Sequence, residues 1–161
     1  MRINKITKVV CSLGAIVVLA ATAVAQNTDT DSSCKPIGGM VSTNVGGFGP
    51  NTTMGVVVGD LAGAVGVEIL GISAGSNGLV DIAVHHHWVT ATGETLKVDK
   101  AHAYGVYVAP ELFAITNYQV HISGGTGRYQ NTKGDIGVIG EADFNAGHLV
   151  LRCTGQLCSE Q

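Results

Sequence analysis

Leu79-Val80-Asp81-Ile82-Ala83-Val84-His85-His86-His87-Trp88-Val89-Thr90-Ala91 contains neither glycine nor proline and is rich in β-branched and aromatic side chains, the composition of a strand. Alternate side chains of a strand point to opposite faces, so Ile82, Val84, His86 and Trp88 share one face and Asp81, Ala83, His85 and His87 the other. The larger apolar groups lie on the first face, and burial selects it for the interior. His86 is then a polar group enclosed among apolar ones, with His85 and His87 exposed. In the opposite phase His85 and His87 would form an inward H-x-H pair able to ligate a metal, completed by His102, His121, Asp81 or Asp99. The preferred phase leaves that as the weaker alternative and implies no metal or cofactor.

Segments likewise rich in Val, Ile, Thr and Tyr lie on either side: Thr52–Val58, Ala62–Ser73, Thr95–Val108, Ala114–Ser123, Gly134–Phe144 and His148–Cys158, with Val41–Val45 as a further short one. Between them stand the turn signals Gly59-Asp60, Gly75-Ser76-Asn77-Gly78, Thr92-Gly93, Gly124-Gly125-Thr126-Gly127 and Asn145-Ala146-Gly147. No segment of comparable length combines a 3.6-residue apolar rhythm with helix caps. Short turns between consecutive strands imply an antiparallel meander, and closing it removes the exposed edges that invite aggregation. The expected fold is all-β, an eight-stranded antiparallel closed barrel, with a two-sheet sandwich as the alternative. The interior of such a barrel holds side chains or one small ligand.

Beyond Thr92-Gly93, Leu96 and Val98 share the face of Trp88. Uninterrupted alternation would bring His102 and Tyr104 to the interior, and Lys100 with them unless the register shifts. Glu68 lies in Val65-Gly66-Val67-Glu68-Ile69-Leu70. An inward carboxyl there would be desolvated and suited to proton transfer, whereas inward Val67 and Ile69 would turn it out. Glu68, His86 and His102 are thus the candidate catalytic residues, and Trp88 and Tyr104 the candidate cavity walls. No Ser-His-Asp order, nucleophile elbow, H-E-x-x-H or Cys-His site is present, so hydrolase chemistry has no support.

At the amino terminus, Arg2, Lys5 and Lys8 precede an apolar run from Val9 to Ala25 that ends in Ala23-Val24-Ala25. A positive start, a short hydrophobic middle and small closing residues read as a secretory signal peptide over residues 1–25, cleaved after Ala25. The run is shorter than the roughly 20 residues that span a bilayer. Residues 26–33 are a polar, flexible lead-in, residues 34–161 a single barrel domain, and the destination is secreted or periplasmic. Without the signal the chain keeps six basic residues against twelve acidic ones, a formal net charge of −6. That charge offers nothing to phosphate backbones or anionic lipid, so neither nucleic acid nor membrane is an expected partner. Cys34, Cys153 and Cys158 remain, in a compartment where disulfides persist. Cys34–Cys158, closing the long loop, is the preferred bridge; Cys34–Cys153 is the alternative.

Gly59-Asp60-Leu61-Ala62-Gly63, the turn Thr92-Gly93-Glu94-Thr95-Leu96, and Gly124-Gly125-Thr126-Gly127-Arg128-Tyr129 followed by Gly134 resemble the allene oxide cyclase barrel superfamily. That superfamily includes the plant dirigent proteins, and the chain looks most like its bacterial secreted members. The resemblance spans roughly Cys34 to Cys158 and implies an eight-stranded barrel with a central cavity. Some members cyclise or isomerise apolar small molecules, others guide radical coupling, and most have no assigned role. Two functions follow as expectations. One is a barrel that binds a small apolar ligand or a partner protein; the other is a cofactor-free isomerase or cyclase. Dirigent-like barrels often associate, which leaves room for a homo-oligomer.

Overall fold

The alternation of Leu79–Thr90 is realised in the structure, a computed structural model that describes residues 32–160. Val80, Ile82, Val84, His86, Trp88 and Thr90 are all buried, and the residues between them face outward. Among the described residues nine strands follow one another: β1 (Ser32–Val45), β2 (Thr52–Gly59), β3 (Gly63–Ala74), β4 (Leu79–Thr90), β5 (Thr95–Val98), β6 (Ala101–Ala109), β7 (Leu112–Gly125), β8 (Thr132–Asp143) and β9 (His148–Glu160). Successive strands pair antiparallel, except that β5 and β6 together fill the gap between β4 and β7. β1 pairs with β9 from Ser32↔Glu160 to Asn44↔His148 and closes the ring. The fold is therefore a closed eight-stranded antiparallel barrel with one position split between two strands, and the sandwich alternative is set aside.

The split corrects the expected single strand Thr95–Val108. Asp99 and Lys100 both stay exposed. The Asp99 amide donates to the His121 carbonyl at 3.0 Å, and its carboxylate accepts the Ser123 hydroxyl at 2.8 Å. Two successive outward residues invert the phase, so Ala101, Ala103 and Gly105 face inward, and His102 and Tyr104 outward. β1 also begins earlier than Val41, so Ser32 and Ser33 of the expected lead-in are strand residues. The signal segment and residues 26–31 lie outside the described residues.

Closure brings strand backbones close at some glycines. A Cβ on Gly155 would lie 2.1 Å from the Asp135 carbonyl oxygen on β8. Gly155→Ala should therefore cost about 1–3 kcal/mol, read as a lower urea midpoint; an unchanged midpoint would show that β8 and β9 can part there.

The end of the barrel bearing the β2–β3, β4–β5 and β7–β8 connections is plugged, and the three motifs that carry the family resemblance build the plug. The Trp88 indole donates to the Leu61 carbonyl at 3.1 Å, and Leu61, Leu96, Tyr129 and Leu157 are buried at this end. Gly127 turns the chain with φ of 57°, a left-handed value that favours glycine. Arg128 lies 3.5 Å from Glu94, donates to the Thr92 hydroxyl at 3.2 Å and covers the Tyr129 ring at 5.0 Å. The Thr126 hydroxyl oxygen accepts the Thr95 amide at 2.8 Å. Hydroxyl donation to Glu94 from Thr92 first, and then Thr90, holds its carboxyl below the usual range. The Gly-Gly-Thr-Gly-Arg-Tyr turn is thus a brace between the β7–β8 connection and the β4–β5 connection with the start of β5.

Cys34 and Cys158 face each other across β1 and β9 at this same end and are disulfide-bonded. Cys153 stands opposite Gly39, five positions along β1 from Cys34. That is about 16 Å at strand rise, which rules out the Cys34–Cys153 alternative.

Candidate functional site

Inside the plug lies a cavity of about 60 Å³. Its wall is apolar except for Thr43, Thr53, His86, Tyr118 and Cys153. β4 delivers His86 by the alternation already described. β7 delivers Tyr118 after an irregularity between Ile115 and Tyr118 that turns Thr116 and Asn117 both outward. The small Ala103 pairs with Tyr118 on β6 and leaves space for its ring. Thr53 pairs with Val67, and Val67 with His86, so Thr53 and His86 flank Val67 across three adjacent strands.

His86 Nε2 and the Tyr118 hydroxyl are hydrogen-bonded, with the rings stacked at 5.7 Å between centroids. In one tautomer the hydroxyl donates to Nε2, leaving Nδ1–H as a donor. In the other, Nε2–H donates to the hydroxyl oxygen and Nδ1 is left as an acceptor. In both cases Nδ1 is buried with no partner among the described residues, as are Thr43 Oγ1 and Thr53 Oγ1.

Burial also sets the charge states. It is the main cause that lowers His86 from 6.5 to about 4, helped by the neighbouring His85 and His87. Burial pushes the Tyr118 hydroxyl well above its ordinary value, with Cys153 adding to it, and raises the Cys153 thiol to about 11. At neutral pH the cavity therefore holds a neutral imidazole, a phenol and a thiol, all hydrogen-bonding groups without charge.

The candidate residues do not converge. His86 and Trp88 line the cavity. Glu68 is exposed on the outer wall, turned out by inward Val65, Val67 and Ile69. His102 is outside and paired with Asp81 at 2.8 Å. Tyr104 is outside as well, stacked on His102 at 6.2 Å, so it is not a cavity wall. Thr43, Thr53, Tyr118 and Cys153 were missed, although Thr43 and Thr53 are small polar residues at inward positions of their strands. An open groove of about 500 Å³ beyond the plug carries no site: Asp60 accepts the Gly38 amide at 2.7 Å, and Arg128 is held by Glu94 and Thr92.

No family profile matches the chain, and no curated protein matches it in sequence. Among solved structures, the pterocarpan synthase dirigent protein aligns with 91% of this chain and 100% of its own, at 14% sequence identity and a TM-score of 0.36. At that distance the likeness assigns neither family nor activity.

Proposed function

We propose that the protein is an exported barrel that binds, without a cofactor, a small and largely apolar molecule bearing one hydrogen-bonding group. One observation carries the reading: Thr43 Oγ1, Thr53 Oγ1 and His86 Nδ1 are buried without partners, and all three residues line one apolar cavity. A buried polar atom left unpaired costs about 1–3 kcal/mol, which a ligand hydroxyl or carbonyl would offset. The cavity, about 60 Å³, is smaller than the roughly 150 Å³ that admits benzene. The polar head of a ligand is therefore what enters, and its remainder leaves past half-buried Ile69, Phe144 and Leu149. Phe144, Phe113 and Tyr107 continue that path outward as edge-to-face pairs at 5.9 and 6.1 Å. Export is supported by the Arg2–Ala25 pattern and is compatible with the disulfide.

The chain has one tryptophan, Trp88 on the cavity wall, so its fluorescence reports occupancy. Hexanol and hexanal should shift its emission saturably, with hexane binding about tenfold more weakly, the equivalent of one hydrogen bond. Thr53→Val should narrow that preference, and Thr43→Val/Thr53→Val narrow it further, while each raises the stability of the empty barrel. The absence of any saturable response, or equal binding of hexane, would overturn the reading.

A cofactor-free isomerase or cyclase is the second reading, favoured by the hydrogen-bonded His86–Tyr118 pair inside the cavity. With both groups neutral, the pair suits polarising a carbonyl better than abstracting a proton. Glu68 and His102 lie outside and cannot assist it.

A further inference from the structure

On the outer wall of the same strand, three other side chains come together. We propose that Glu68, His85 and His87 form a binding site for one divalent transition-metal ion, of the class of Zn²⁺, Cu²⁺ or Ni²⁺. Burial of His86 and Trp88 forces His85 and His87 onto one outward face, where their ring centroids lie 4.8 Å apart. Glu68 stands directly opposite His85 on β3, and Gly66 opposite His87. A Cβ at Gly66 would meet nothing within 4 Å, so the wall beside His87 is open to an ion and its water. One ligand atom from each of Glu68, His85 and His87 lies within 4.8 Å of the others. Imidazole nitrogens and a carboxylate oxygen bind such ions at about 2.0–2.2 Å, so small side-chain rotations bring the three onto one centre. Two imidazoles and a carboxylate suit zinc, copper and nickel over calcium or magnesium, and the open side leaves a coordination position for water or an external donor.

The other outward histidines already have carboxylate partners: His102 with Asp81 at 2.8 Å, His121 with Asp135 at 2.8 Å and His148 with Glu141 at 3.8 Å. His85 and His87 have no such ion pair among the described residues, and Glu68 stands beside them, placed as a third ligand. The second cluster of metal-ligand type, Glu141, Asp143 and His148, is accounted for by that ion pair and by the Asp143 carboxylate accepting the Ala146 amide at 2.8 Å. The inward H-x-H site considered from sequence is thereby replaced by an outward one with a different third ligand.

The test is calorimetric titration of the untagged, oxidised, chelator-stripped protein with zinc chloride. One ion per chain is expected, with each of Glu68→Gln, His85→Ala and His87→Ala weakening binding roughly tenfold or more and the double histidine variant abolishing it. His102→Ala and His121→Ala, which alter exposed residues outside the trio, should bind as the parent does. All these positions lie on the outer wall, so circular dichroism should show folded variants throughout. No binding by the parent, or binding that survives His85→Ala/His87→Ala, would overturn the site. Because cavity and outer wall face opposite ways, the result is independent of the ligand reading.

Discussion

Replacing Cys34 and Cys158 by serine is expected to lower the unfolding free energy by about 2–5 kcal/mol. The two residues are 124 positions apart and sit on the first and last strands of the ring. In the folded barrel they are already held opposite each other by the β1–β9 ladder, so removing the bond changes the native state little. The unfolded chain changes more, because it regains the freedom of a loop of over 100 residues, which the chain-entropy account values at about 4.7 kcal/mol. Urea unfolding of the double variant beside the parent is the measurement. A lower midpoint with a slope that stays equal or rises is the expected pattern, since the unlinked chain expands further. A loss under about 1 kcal/mol would mean that the unfolded ends stay associated without the bond. In the parent, Cys153 should react with a thiol reagent only after denaturant is added, because its thiol is buried and raised to about 11.

The second large effect follows from His86. An unfolded histidine titrates near 6.5, whereas burial lowers His86 to about 4 in the fold. Above the unfolded value neither state binds the proton and the residue contributes no pH dependence. Between the two values only the unfolded chain is protonated, so stability falls with falling pH at about 1.4 kcal/mol per unit, roughly 3 kcal/mol in all. Below the folded value both states are protonated and the slope ends. His86→Leu/Tyr118→Phe removes both hydrogen-bonding partners together and avoids stranding either. In chelator-treated samples, the double variant should lose roughly 3 kcal/mol less than the parent between pH 7 and pH 4. Carboxylates common to both proteins cancel in that comparison. Parallel stability curves would show that His86 is protonated inside the barrel.

Strand content was legible because the chain repeats one physical pattern, apolar residues at every second position between turns that glycine permits. Leu79–Thr90 is its clearest instance, and its inward face was read as found. The reading failed at Asp99-Lys100, where two polar residues in succession stay in solvent and invert the phase, carrying His102 and Tyr104 outward. A similar inversion at Thr116-Asn117 delivers Tyr118 to the cavity. Such irregularities answer to the coiling and closure of the sheet, and period-two alternation carries no record of either.

What could be read along the chain was therefore which residues form strands, which face of β4 is buried, and that the distant cysteines pair. Alternation, turn chemistry and loop entropy act within a segment or between two chain ends, and they are visible without coordinates. What required the closed barrel was every meeting across strands. The His86–Tyr118 bond, the unpartnered Thr43 and Thr53 beside it, the Arg128–Glu94 brace and the Glu68–His85–His87 cluster all depend on register. Register is settled only when the ring closes and each strand must satisfy two neighbours at once.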